Sequence, residues 1–376
     1  MRVDILYDRP ISPNFAAGEG GTMAAFPQAA LLAGGRVACV YRRGTTKHSH
    51  DGVFVLQTSD DLGLTWSEPR VIYNGLGARP AQTVVSGGIC QTPAGALLAT
   101  FSTVEGLQPG EYMFSAAGMA LPRWVFVTRS ADGGQTWMPA QKLDTAAFPT
   151  VGITTKPFAL PNGEIFAPVE VGTRLGVQST AAAISSDDGC SFGPLITCAD
   201  DATGTLSLCD ARFTALPDGR LLMLLWTFRK DNEETIHVRR SYSSDYGRTW
   251  TSPAATTILS QITVPLALPS GAVIAVGNFR LPPQGSRLWY STDAGATWDA
   301  DHPIQMWDAL EERIVGRPID PRPLDADKGR LWEALGGFTF GTPDLVLLPD
   351  GSVLLTYYAT VKGIVGARAC RFRVVE

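Results

Sequence analysis

The sequence predicts an all-β protein, a six-bladed β-propeller whose blades are four-stranded antiparallel sheets. Three observations carry this expectation. Two short repeats alternate along the chain and together account for one blade at a time. Turn formers are plentiful, with 39 Gly and 26 Pro in 376 residues. The composition, 45% apolar and 18% charged, supplies a core and is unlike that of a disordered chain.

The first repeat is Ser-x-Asp-x-Gly-x-Thr-Trp, found at Ser59–Trp66, Ser130–Trp137, Ser243–Trp250 and Ser291–Trp298, with a looser copy at Ser185–Phe192. Its Asp (Asp61, Asp132, Asp187, Asp245, Asp293) can accept hydrogen bonds from its own turn, its Gly supplies a positive φ, and its aromatic residue plugs an apolar gap. The spacing lacks the alternating oxygens and distal Glu of a calcium loop, so the repeat reads as a structural turn.

The second repeat is an apolar strand, a tight Gly turn and another apolar strand. It occurs at Ala30–Arg43, Cys90–Ser102, Phe158–Glu170, Thr214–Arg229, Leu266–Arg280 and Leu345–Ala359. Five of these six hairpins are followed by the Asp turn, which makes each unit a four-stranded blade. Radial repetition of such sheets protects their edges. The sixth hairpin is followed only by ARACRFRVVE, so the N-terminal strand RVDILYD is expected to complete the last blade and close a single domain over residues 1–376. Two stretches exceed the blade template, Gly106–Arg123 and Asp301–Gly337, and both are expected to be functional loops.

A net charge of -5 with no basic run argues against nucleic acid as a partner, and an anionic substrate would need a local cluster of cations. The six cysteines form no CxxC pair and mostly sit in strand-like runs, as small buried hydrophobes. No motif calls for a cofactor or metal. No stretch suits a signal peptide or a membrane span, so a cytoplasmic location is expected of the chain as written, or a secreted or periplasmic one had a leader been removed.

In a propeller, the start of each innermost strand and the end of the second emerge on one rim around the axis, opposite the Asp turns. Those positions hold Gln28, Arg42, Arg43, His48, His50 and Asp51 in the first blade, Glu105 in the second, and Lys156 and Glu170 in the third. The fourth adds Asp210, Arg212 and Arg229, the fifth Arg280, and the sixth Asp344, Tyr357 and Tyr358.

With both repeats in hand, the whole chain resembles the sialidase superfamily of Asp-box (BNR) repeat proteins. That resemblance implies three arginines that bind the substrate carboxylate, an acidic acid/base, and a tyrosine nucleophile assisted by a glutamate. Asp51 falls where the acid/base is expected, Asp210 takes the place of the assisting glutamate, Arg229 resembles the second arginine, and Arg280 or Arg287 the third. Pro27 stands where the first arginine belongs and Thr342 where the tyrosine belongs. Arg42 or Arg43 is available to replace the arginine and Tyr357 or Tyr358 the phenol, with only one tyrosine of that pair facing the site.

The reading that follows is an exo-acting glycoside hydrolase of a terminal acidic sugar. Asp51, Asp210, Tyr357, Glu170 and His48 are its candidate catalytic residues, and Arg42, Arg43, Arg229, Arg280, Lys156 and Gln28 its candidate substrate-binding residues. The expected partner is a carbohydrate bearing a carboxylate, with neither nucleic acid nor membrane involved. Two alternatives stay open. One is a polysaccharide lyase that uses His48 or His50 near Arg42 on a uronic acid. The other is a non-catalytic glycan-binding propeller displaying Trp124, Trp226, Trp289, Trp307, Trp332 and the tyrosines, although most of these suit blade cores.

Overall fold

Apolar runs separated by Gly turns have one economical solution, antiparallel strands with one row of side chains on each face. The computed structural model describes residues 1–12, 23–111, 113, 121–146, 148, 151–174, 177–320 and 340–375, and its strands form six sheets among them. The innermost strands are Met23–Leu31, Gln82–Gln91, Leu206–Ala215, Thr263–Ala267 and Phe340–Leu347. In the third blade the innermost position is split between Val151–Gly152 and Phe158–Ala159. The architecture is a six-bladed β-propeller.

Arg2–Pro10 pairs antiparallel with Ile364–Val375 as the outer strand of the sixth blade. First and last parts of the chain thus share one sheet. The segment beginning at Asp301 differs from the loop expected of it. Its first part forms Ile304–Asp308 and Arg313–Pro318, the fourth and fifth strands of blade five, and Gly316 lies against Val3 and Ile5 of the N-terminal strand. The rest of that segment, residues 321–337, and the middle of the other insertion, residues 114–120, lie outside the described residues.

Apolar faces meet between neighbouring blades rather than on the axis. Leu32, Phe54 and Leu56 of blade one pack with Ile89, Leu97 and Phe101 of blade two, and comparable clusters fill the other five wedges. Trp289 and Trp307 belong to these clusters, and Trp226 is equally buried. The axis is left to polar side chains.

The Asp turns behave as their sequence demands. Asp61 accepts from the Thr65 amide (2.8 Å) and hydroxyl (2.5 Å), and Ser59 accepts from the Gly63 amide (2.8 Å). The same bonds recur at Asp132, Asp187, Asp245 and Asp293. Each turn also docks on the preceding blade. A Cβ on Gly189 would lie 2.5 Å from Leu98 Cδ1 of blade two, and one on Gly295 2.6 Å from Leu222 Cδ2 of blade four. The glycine therefore answers to two demands, a positive φ and close approach.

Candidate functional site

Side chains reach the axial mouth because three innermost strands bulge at equivalent places. Ala25 faces Arg42 while Gln28 faces Val40, Cys209 faces Trp226 while Arg212 faces Leu224, and Gly341 faces Tyr358 while Asp344 faces Thr356. Each leaves one extra residue in the strand. The first residues of these bulges, Phe26, Asp210 and Thr342, hold φ of 60°, 49° and 49°. Left-handed backbone is costly for non-glycine residues and persists where the surroundings enforce it, often at functional sites.

Asp210 meets Glu170 there. Glu170 lies on Ile165–Arg174, opposite Gly152, and its carboxyl accepts the backbone amide of Asp210. Oxygens of the two carboxyls lie within 4.8 Å of each other. Burial and the adjacent Asp210 push Glu170 up to about 8, against the pull of the Asp210 amide, Arg123 and Arg212. Asp210 is also raised by burial, with Arg212, Arg280, Thr154 and Lys47 pulling the other way. Arg123 opens Arg123–Ser130 of blade two and lies over Gly152, where a Cβ would stand 2.6 Å from its Nη2.

Lys47 and Arg280 complete the cluster, and both face the hydroxyl of Tyr358. The Lys47 ammonium lies 5.7 Å from the ring centre of Phe26 and 5.5 Å from that of Tyr358. Burial lowers both cations, most directly by stripping water from the charged form. Arg280 owes its place partly to Gly341, where a Cβ would come within 2.7 Å of its Nη2. His48, 5.9 Å from the Phe26 ring, is held well below its ordinary value by burial and by Lys47, Arg42 and Arg123, so its imidazole is neutral.

The arrangement is a set of cations around two adjacent carboxyls, both pushed toward their neutral forms by burial. Glu170, Asp210 and Cys209 have the spacing of a metal triad. Their setting does not suit a cation. Burial holds the Cys209 thiol well above its usual range, and Arg123, Arg212, Arg280 and Lys47 stand around the carboxyls.

The family described as BNR repeat-like domain matches residues 112–355. The chain belongs to that family. No curated protein matches it significantly in sequence. Among solved structures it is similar to a protein of unknown function from Dyadobacter fermentans DSM 18053 (20% identity, 99% of each chain, TM-score 0.72). It is also similar to the Hadza microbial sialidase Hz136 (14% identity, 94% of this chain and 66% of that one, TM-score 0.68). A third similar structure is the intramolecular trans-sialidase from Ruminococcus gnavus in complex with oseltamivir carboxylate (12% identity, 96% and 97%, TM-score 0.66). At these identities the structural likenesses establish the fold, a sialidase-like BNR propeller.

Of the residues expected to act on this BNR scaffold, the structure brings together Glu170, Asp210, Arg280 and His48. It places others elsewhere, and each displacement has a physical reason. Arg42 is 1% exposed and spends its donors on the carbonyls of Val84 (2.8 Å), Thr46 (2.6 Å) and Ser49 (2.7 Å), pinning the loop that carries Lys47. Arg43 points to the opposite face of the same strand, as alternation requires. Arg229 is exposed, its guanidinium 3.4 Å from Glu234.

Lys156 lies in the channel, 2.8 Å from Asp344 and 2.7 Å from the Ala29 carbonyl, and Gln28 reaches the Thr154 carbonyl at 3.4 Å. Tyr357 faces the wedge between blades five and six, and its hydroxyl donates to Asp8 (2.8 Å). Tyr358, the other member of that pair, is the one at the mouth. Asp51 stays at the edge of the site. Burial acts to raise it, but the Ser49 and Thr45 hydroxyls and the Thr45 amide outweigh that and hold it below the usual carboxylate range.

Trp332 lies outside the described residues. Two members of the site escaped sequence reasoning, Lys47 and Arg123. Lys47 immediately precedes His48 in TKHSHDG, and Arg123 is the last residue of the first long insertion. Lys47 could have been found by extending the rim position of His48 by one residue, whereas Arg123 opens the third strand of its blade, a position outside the rim rule.

Proposed function

We propose that the protein is a glycoside hydrolase that removes a terminal acidic sugar, sialic acid or a relative, from a glycan. The observation that carries this reading is the gathering of Lys47, Arg123, Arg212 and Arg280 around only two carboxyls, a local field that attracts an anion despite the acidic whole. Arg280, Arg123 and Lys47 receive the sugar carboxylate. Glu170, the member of the pair that holds a proton, protonates the departing glycosidic oxygen, a role Asp51 is poorly placed to fill because its loop keeps it ionised.

Asp210 then acts at the anomeric carbon. An inverting pair needs carboxyls roughly 6.5–9.5 Å apart to seat a water, whereas a retaining pair stands at about 5–5.5 Å. Oxygens no more than 4.8 Å apart fall short of the inverting spacing, so the retaining course is the one proposed, with Asp210 in place of the tyrosine that Thr342 does not supply. Fluorogenic glycosides of sialic and uronic acids test the reading. Release by the wild type and a loss of about 10²–10⁴-fold in Asp210→Asn are expected, and no turnover of either glycoside at any acidic or neutral pH would sink it.

A second reading rests on His48. A neutral imidazole among cations is what a polysaccharide lyase needs to remove the proton alpha to a neutralised uronate. Incubation with uronate polymers separates the two, since elimination creates a conjugated double bond with new ultraviolet absorbance and hydrolysis does not.

A further inference from the structure

Arg123 belongs to two places at once. Toward the axis its guanidinium crosses Gly152, the strand partner of Glu170, and both Glu170 and Asp210 act on its charge. Gly152 makes the passage possible, since a Cβ there would stand 2.6 Å from Nη2 and 2.9 Å from Cζ. Away from the axis Arg123 lines a cavity of about 430 Å³ between blades two and three. That volume lies within the roughly 300–1,000 Å³ of small-molecule sites.

The cavity wall mixes two kinds of surface. Leu143, Phe148 and Val151 are apolar, and Trp124 joins them with its ring beneath the Lys142 ammonium, 2.9 Å from the ring centre. Lys142 and Asp144 are exposed polar members of the same wall, and Asp144 accepts the Ala146 amide (3.1 Å). A pyranose carries the matching mixture, C–H faces and a ring of hydroxyls. An acyl chain would strand the charged groups, and a phosphate would meet Asp144 as well as Lys142. Position says which sugar. Val151 and Gly152 are consecutive and face Val171 and Glu170, so the wall begins one residue from the partner of the carboxyl that protonates the departing oxygen. In a sialic acid the carboxylate and the glycosidic oxygen share one carbon. A guanidinium that holds the first therefore lies beside whatever hangs on the second.

We infer that this cavity receives the leaving sugar, the pyranose unit from which the terminal acidic sugar is cut. Lys142 and Asp144 bind its hydroxyls, and Leu143, Phe148 and Val151 support its ring. The inference rests on the hydrolase reading for the direction of the glycan, and adds that a second sugar unit is part of what the protein recognises.

Saturation-transfer NMR with sialyllactose reads contact ring by ring and needs no turnover. Transfer to the galactose joined to the sialic acid is expected in the wild type and should fade in Ala146→Trp, which fills the cavity from an exposed position of its wall. In kinetics, kcat/KM for sialyllactose is compared with that for sialyl fluoride, whose leaving group is too small to reach the cavity. The ratio should fall about tenfold in Lys142→Ala and in Ala146→Trp. Transfer confined to the sialic acid, transfer to neither ring, or an unchanged ratio in both variants would overturn the inference. Transfer to both rings without release from either compound would sink the hydrolase reading and leave the cavity with its sugar. Both substituted positions are exposed, and the wild-type spectrum decides even where a variant misfolds.

Discussion

The backbone amide of Asp210 donates to the side-chain carboxyl of Glu170, joining the bulge of blade four to the second strand of blade three. Because Glu170 is buried beside the half-buried Asp210, its ionisation is a stability statement as well as a chemical one. Glu170 in the unfolded chain ionises near 4.5, and in the fold only near about 8. Between those values the folded state binds the extra proton, so the contribution of this group is most favourable below about 4.5 and falls as pH rises toward 8. Glu170→Gln should flatten that decline in urea titrations at mildly acidic and mildly alkaline pH. An unchanged slope would mean that Glu170 is ionised in the fold.

The adjacent tyrosines should separate function from stability. Tyr358→Phe removes the hydroxyl that Lys47 and Arg280 face, and a drop in kcat/KM on the order of tenfold or more is expected with little change in unfolding midpoint. Tyr357→Phe breaks the bond to Asp8 and should cost about 1–2 kcal/mol while sparing turnover. The opposite pattern would reverse the assignment of the two faces.

Arg42 and Arg229 make a second contrasting pair. Arg42→Ala leaves three backbone carbonyls without their donor and frees the loop of Lys47, at a cost of roughly 2–4 kcal/mol in chemical denaturation. Arg229→Ala removes an exposed ion pair and should change stability by less than about 0.5 kcal/mol. Strong loss of substrate affinity in Arg229→Ala with intact affinity in Arg280→Ala would show that the carboxylate binds nearer the rim.

Gly189→Ala tests the docking of the Asp turns. The position has φ +78°, and the new Cβ would press on the buried Leu98 of the preceding blade. A loss of about 1–3 kcal/mol is expected. Gly163→Ala, at φ +85° with open space around it, serves as the control that carries the backbone strain without the clash.

The scaffold was legible in the sequence because its repeated unit is local. The bonds that the repeated Ser and Asp make within each turn join residues no more than four apart, as between Asp61 and Thr65, so the pattern of residue types reports the geometry directly. Alternation along a strand is equally local, and it dictated that Tyr357 and Tyr358 face opposite ways.

Which of the two faces the mouth was not legible, nor was the division of labour among the arginines. Those outcomes depend on partners far away in the chain, such as Asp8 for Tyr357, Val84 for Arg42 and Asp344 for Lys156. Short-range periodicity thus determined the blades and the rim on which charge would collect. Only closure of the ring decided which charged groups are consumed by remote carbonyls and carboxylates, and which are left to face a ligand.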